Sequence, residues 1–339
     1  MSEQFHVERL HLDDVSEIGS FLNTVWGASY GSSARPDFTP SYLQWLYGGP
    51  DSERHALVGV RHDRSLVAFK ALLFRPTRYR GRCLRAHVTT HLAIHPGLSL
   101  QQRVDALIRI TVPHSFLTDR DLCPDAPVDL IFAFYEEEKN IPRNTVHLME
   151  QYGLVRSFVP FQQAIANRAT VQAAVDHART DRRVVRQATM DDAPVIEDLF
   201  NRHTARQSLA ITMTAERIEH HLFGLPNSRV VLLEEGGTPT GFVAFYLLDV
   251  ARAGVRSQAV IVEFLIVEGS RWAAALLLDQ ALEFSSLSGA RGVVMENPTY
   301  VGLEGFRDCG LVPSARRMLL STVSERPLDL ESAFVCDVK

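Results

Sequence analysis

Two kinds of apolar pattern run along the chain. Short apolar or alternating runs fit strands, and longer runs with apolar residues three or four apart fit helices. The clearest unit is Val260–Arg291. A β-branched run, Val260-Ile261-Val262, passes one carboxylate, Glu263, and continues as Phe264-Leu265-Ile266-Val267. Glu268-Gly269-Ser270 interrupts it, and an Ala/Leu-rich helical run follows to about Ser285. A strand, a tight glycine turn and a helix present free backbone N–H groups to an anion. A carboxylate inside an apolar strand costs free energy unless it is partnered or used. Ala56–Arg61 and Leu66–Phe74 read as hairpin strands about Asp63-Arg64. Val128–Tyr135 reads as a buried strand, and Arg229–Glu234, Thr240–Asp249 and Gly292–Met295 as further strands.

The pattern occurs twice. Val7–Asn23 is a short strand, an Asp-Asp helix start and an amphipathic helix, and Val185–Asn201 repeats it. Asp13-Asp14 returns as Asp191-Asp192, 178 positions later. Leu66–Phe74 matches Thr240–Leu248, and His91-Leu92-Ala93-Ile94 matches Phe264-Leu265-Ile266-Val267, both at 173 positions. Tyr152-Gly153-Leu154-Val155 matches Cys309-Gly310-Leu311-Val312 at 157. The offset falls in one direction, as loop deletions in the second copy would produce. The expected organisation is an N-terminal domain over residues 1–166, a linker helix over 167–182, a C-terminal domain over 183–323 and a tail over 324–339. The expected fold class is α+β, a mixed and mostly antiparallel sheet with flanking helices in each of two tandem domains.

Composition narrows the picture a little. The 339 residues are 46% hydrophobic and 22% charged, which suits two globular cores. A formal charge of −5 predicts no general attraction to nucleic acid or to an anionic membrane. No segment holds the roughly 20 continuous apolar residues of a membrane span. The start lacks the basic region and apolar run of a signal peptide. Four widely spaced cysteines form no C-x-x-C pair, so a reduced cytoplasm is the expected location. His87, His91 and His95 fall every fourth residue along one strand, which predicts one face and a spacing of about 13 Å, too wide to share a metal. His203, His220 and His221 read as surface or half-buried residues, and Trp45 and Trp272 as packing residues.

This order of elements resembles the GNAT superfamily of acyl-CoA-dependent N-acyltransferases, present twice in tandem from about residue 5 to residue 323. Leu92-Ala93-Ile94-His95-Pro96 resembles the family's fourth strand and following proline. Glu138–Leu154 and Asn297–Leu311 resemble the helix that ends in Gly-Phe or Gly-Leu before the last strand, and Tyr42–Pro50 resembles a segment before the second strand. The resemblance implies an acetyl-CoA or other acyl-CoA co-substrate, with no metal, in a splay between the fourth and fifth strands. Its pantetheine arm would pair with the main chain of Leu92–Ile94 or of Leu265, Ile266 and Val267. The family's pyrophosphate loop reads Arg/Gln-x-x-Gly-x-Gly, and both copies depart from it. The first has Ser99-Leu100-Gln101-Gln102-Arg103-Val104, the second Glu268-Gly269-Ser270-Arg271-Trp272-Ala273-Ala274-Ala275. Candidate cofactor contacts are therefore Ser99 and Gln102 in the first copy, and Gly269, Ser270, Arg271, Ala273, Ala274 and Asn297 in the second.

N-acyl transfer needs a base for the attacking amine, an N–H for the developing oxyanion and a proton for the departing thiolate. Glu263 is the candidate base; the alternative is a carboxylate paired with Arg252 or Arg256. The first copy has Thr90 at that place, beside His91. Met149 and Phe306 occupy the family's tyrosine position; Tyr300 and Tyr152 lie close by as substitutes, and Tyr300 is the candidate proton donor. The expected function is an N-acyltransferase moving an acetyl or other acyl group from CoA to a small-molecule amine. Two alternatives stand beside it: a binding or scaffold protein that keeps the fold without catalysis, and an enzyme acting on a thioester held by an acyl carrier protein.

Overall fold

The computed structural model describes residues 5–30, 35–111, 120–136, 150, 153–180, 182–252, 254–296, 306–324, 326, 328 and 333–334. The two Asp-Asp motifs explain themselves first. Asp14 accepts from the backbone N–H of His11, and Asp192 from that of Thr189, each at 2.8 Å. Each aspartate closes a capping box over a short 3-10 turn. The helix start is thus the same device in both halves.

The first half runs β1 (His6–Leu10), α1 (Val15–Tyr30), β2 (Arg35–Pro36), α2 (Pro40–Tyr47), β3 (Ala56–His62), β4 (Ser65–Phe74), β5 (Thr77–Tyr79), β6 (Arg82–Leu84), β7 (Ala86–Ile94), α3 (Leu100–Thr111), β8 (Leu130–Glu136) and β9 (Val155–Ala166). A helix α4 (Arg168–Ala178) follows. The second half runs β10 (Arg183–Gln187), α5 (Ala193–Thr204), β11 (Leu209–Ile211), α6 (Ala215–Phe223), β12 (Ser228–Glu235), β13 (Thr238–Arg252), β14 (Val255–Val267), α7 (Ala273–Leu287), β15 (Val293–Met295) and β16 (Leu311–Ser324). Within residues 324–339, Ala333–Phe334 forms β17, which lies parallel to β11. The fold class is α+β, as the alternation of patterns predicts. Among the described residues no helix is long and apolar enough to cross a membrane.

The strand order of the main sheet is β1-β3-β4-β7-β8-β16-β9-β15-β14-β13-β12-β10. The last strands of the two halves have changed places. β16, from the second half, pairs antiparallel with β8 and with β9, and β9, from the first half, pairs with β15. Two smaller exchanges repeat the arrangement. β2, between α1 and α2, pairs with the hairpin extension of β13, and β11, between α5 and α6, pairs with β5. Asp37 N–H donates to Asp249 carbonyl at 2.9 Å, and Thr212 N–H to Pro76 carbonyl at 2.8 Å. Trp45 Nε1 donates to His220 carbonyl at 3.1 Å, while His220 Nε2 donates to Trp45 carbonyl at 2.9 Å. These paired contacts mark an approximate two-fold axis through the seam. A single apolar cluster runs from Leu10 to Leu320 across both halves, and a smaller one lies under α3.

A buried ion pair fastens the same seam. Arg217 on α6 donates to Asp51 through Nε at 2.6 Å and Nη2 at 2.8 Å, with side chains 15% and 10% exposed. Removing one partner leaves the other charge uncompensated, which costs about 3–5 kcal/mol. Arg217→Ala should therefore lower stability by about that amount in urea titration. A chain ending at residue 180 lacks β16, the strand between β8 and β9, and so leaves both edges open. Expressed alone it should show no cooperative unfolding by circular dichroism, whereas the full chain should unfold in one transition.

Candidate active site

Both halves open the sheet by the same device. In the first, β7 pairs parallel with β8 only over Ala86–Thr89, and beyond Ala133 β8 continues bonded to β16. In the second, β14 pairs with β15 only over Val260–Val262. A β-bulge stands just past the last pair in each case. Lys70 alone faces His91 and Leu92 between the Ala71–Thr90 and Phe69–Ala93 pairs. Glu263 is the extra residue between the Phe245–Val262 and Ala244–Phe264 pairs. A bulge bends its strand and re-aims a side chain. His91 takes a left-handed backbone, φ 55°, which costs a non-glycine residue about 1–3 kcal/mol. The bulge also overturns the expectation that His87, His91 and His95 share a face. His87 packs on Phe74 with the group under α3, while His91 packs on Phe38 against α1 and α2.

Glu263 is half-buried and lines a small cavity at the seam with His221, Thr212 and Arg217 of the second half and Asp51 and Arg75 of the first. The cavity holds about 10 Å³, room for roughly one water. Arg256, one of the two arginines considered as a partner for Glu263, pairs with Asp37 at 3.0 Å. His221 is not a surface residue: it is 6% exposed, and its Nδ1 has no hydrogen-bond partner. The i, i+4 spacing of Arg217 and His221 on α6 was a legible signal that they share a helix face. Its cavity, however, is made with Asp51 and Arg75 from the other half, and no spacing in the chain shows that.

The matching place in the first half is filled by rings. Tyr47 Oη and His91 Nδ1 are hydrogen-bonded at 2.6 Å, both side chains buried. Phe38, Trp26 and Tyr47 surround the imidazole with centroids 4.9, 6.2 and 5.8 Å away. Burial holds the Tyr47 hydroxyl well above the ordinary phenol range. Sequence reading passed over this pair because Tyr47 and His91 are 44 residues apart.

The two turns that follow the splayed strands are built differently. Leu92 and Ile94 are half-buried beside the smaller core. Ser99 N–H donates to Gln102 Oε1 at 2.9 Å, and Gln102 N–H to Ser99 Oγ at 3.3 Å. The residues expected to meet phosphate thus cap α3 instead. In the second half Leu265 and Ile266 are buried and Val267 half-buried. Gly269 takes φ 80°, and Ser270 and Arg271 sit in the turn, Arg271 lying 3.4 Å from Asp308. Ala273 and Ala274 are buried, their N–H groups bonded to the carbonyls of Ser270 and Arg271 at 3.0 Å. Glu268 is neutralised by Arg202, through contacts of 2.9 and 3.1 Å. Asn297, Tyr300, Met149, Tyr152 and Glu137-Glu138 lie outside the described residues.

No protein-family model matches the sequence, and no curated protein matches it in sequence. Structural comparison is informative. N-myristoyltransferase from Saccharomyces cerevisiae, in a structure with bound myristoyl-CoA and inhibitors, superposes with a TM-score of 0.68 at 14% identity, over 97% of this chain and 82% of that one. A probable N-acyltransferase from Enterococcus faecalis gives 0.55 at 11% identity, over 95% and 73%. A GCN5-related N-acetyltransferase from Anabaena variabilis gives 0.55 at 12% identity, over 93% and 72%. The chain has the N-acyltransferase (GNAT) fold, in two like halves.

The buried histidines give the site region a pH signature. Burial pushes His87 down to about 4, and burial together with nearby Arg75 also lowers His55 and His221. These groups are neutral when folded and protonate in the unfolded chain below about 6.5. Their contribution is complete above that pH and is lost as pH falls towards their lowered values, about 4 for His87. The urea midpoint should fall steadily between pH 6.5 and 4.5, and His221→Leu should flatten that slope.

Proposed function

We propose that the chain is an acyl-CoA-dependent N-acyltransferase whose chemistry takes place at the bulge of β14. The observation that carries this reading is Glu263. A bulge and splay recur in both halves, and in the second the bulge residue is a carboxylate facing a cavity that both halves enclose. The superposition with yeast N-myristoyltransferase supports a thioester donor, acetyl or longer, because that structure holds myristoyl-CoA.

The residues fit the donor unequally. Main chain of Leu265–Val267 lies on the side of β14 where pairing with β15 has ended, which suits an extended pantetheine arm. Gly269, Ser270 and Arg271 are the groups available to a diphosphate, and Glu268 beside them is paired with Arg202. An acyl-CoA supplies an activated carbonyl with a thiolate leaving group. Glu263 takes the proton from the acceptor amine, so that nitrogen attacks as a neutral lone pair. A backbone N–H from the splayed strand receives the charge that gathers on the carbonyl oxygen. The C–N bond forms, the C–S bond breaks, the proton left on nitrogen passes to solvent, and solvent gives a proton to sulfur.

One observation favours a second reading, transfer in the first half. There the hydrogen-bonded Tyr47–His91 pair stands at the corresponding bulge. Calorimetric titration with CoA, acetyl-CoA and myristoyl-CoA tests donor binding, and turnover with a panel of amines tests the base. Glu263→Gln should leave thioester binding intact and lower kcat by a factor on the order of 10²–10⁴. Tyr47→Phe should stay near wild type. The opposite pattern moves the chemistry to the first half, and a chain that binds none of the three ligands is not an acyl-CoA enzyme.

A further inference from the structure

A second and larger cavity lies away from Glu263. It holds about 450 Å³, within the roughly 300–1,000 Å³ typical of small-molecule sites. It opens where α4 ends, between β10 and the middle of α7. α4 packs along α7, and Arg168 Nη2 near its start donates to the Leu282 carbonyl at 2.8 Å. Arg179 caps the end of α4, its N–H donating to the Val175 carbonyl at 3.0 Å, and Thr180 carries the chain on towards β10. β10 ends the main sheet, so no described strand lies beyond it.

α7 supplies one wall. Leu276, Asp279 and Gln280 fall at i, i+3 and i+4, which puts them on one face of the helix. Ala273–Leu278 are all buried, so a half-buried carboxylate and carboxamide interrupt an apolar helix at this point. Among the described residues neither side chain makes a hydrogen bond or an ion pair. Arg183 on the facing wall is held firmly, its side chain 11% exposed. Its Nη1 donates to the Ala178 carbonyl at 2.8 Å, and its Nε lies 3.4 Å from Glu235 without a hydrogen bond. Arg179 is exposed, and its guanidinium has no partner among the described residues.

The charges decide what the cavity suits. Asp279 and the two arginines line the same space, yet no ion pair joins them. A simple anion entering it meets Asp279 as a like charge, and a simple cation meets the arginines. A ligand bearing both charges meets each with its opposite. Guanidinium groups match the planar carboxylate, and a carboxylate beside a carboxamide oxygen accepts from an ammonium group. Val185 and Leu276 leave an apolar surface for the rest of the ligand. The site is also apart from the proposed chemistry. Phe245 packs on Phe284 of α7, whereas Phe264, which lines the Glu263 cavity, packs on Phe200 of α5 across the sheet.

We propose that this cavity binds a small zwitterion, a free amino acid or a dipeptide, with its carboxylate on Arg179 and Arg183 and its ammonium group on Asp279. The site stands on its own lining and not on the catalytic reading of Glu263. Each common L-amino acid, the dipeptide leucyl-leucine and inorganic phosphate are titrated into the full chain by calorimetry. The tightest binder is then compared with its amide and its deaminated acid. It should occupy one site per chain and bind at least about tenfold tighter than either analogue, a difference of about 1.4 kcal/mol. Asp279→Asn should erase the preference over the deaminated acid, and Arg179→Gln should weaken the preference over the amide. Both should leave the melting curve of the free chain and thioester binding unchanged, and Glu263→Gln should leave amino-acid binding intact. No binding of any amino acid or of the dipeptide, tighter binding of phosphate than of any of them, or binding that both cavity substitutions leave unchanged overturns the proposal. A chain that binds a thioester but no zwitterion loses this site alone, and the reverse result loses the catalytic reading alone.

Discussion

The exchange of β9 and β16 is the constraint on which the rest of the structure depends. Each final strand completes the sheet of the other half, so neither half has a finished edge without its counterpart. Side chains alternate along a strand, and a slip of one residue would turn the whole buried row outward. The register of β16 against two neighbours therefore fixes the relation of the halves as firmly as a packed core does. From it follow the approximate two-fold axis, the reciprocal Trp45–His220 contact and the inter-half ion pair of Asp51 with Arg217.

Within that frame the halves keep one backbone device and part company in chemistry. A bulge accompanies the splay in both. The residue at a bulge stands outside the ladder, so its side chain is free to change without disturbing strand pairing. In the first half that freedom is taken up by an imidazole held by Tyr47 among aromatic rings; in the second it leaves a carboxylate at a small cavity of mixed lining. The first place is closed by packing, and the second keeps a cavity with room for about one water. The turns after the strands differ in the same sense, one tied up by its own capping box and the other keeping a positive-φ glycine beside an arginine.

Charges near the seam are largely met in pairs. Arg217 is committed to Asp51 and Arg202 to Glu268, while Arg75 lines the cavity itself. Burial keeps His55, His87 and His221 neutral, so they add no positive charge around the carboxylate above their lowered pKa values.

The sequence by itself determined the elements and their repetition. Apolar runs such as Leu66–Phe74 and the Asp-Asp capping motif are local signals, because a strand-length run and a helix cap involve residues a few positions apart. Glu263 was also legible, as a charge in an apolar run that local energetics alone would exclude. Only the tertiary structure decided which strands neighbour which, that His91 leaves the face of His87, and that Tyr47, His221 and Arg75 take part in the candidate sites. The swap of β9 and β16 is invisible in sequence because either strand satisfies the same alternation whichever half it completes. His221 looked like an ordinary helix residue because what buries it comes from the other half of the chain, across a seam that exists only once the final strands have been exchanged.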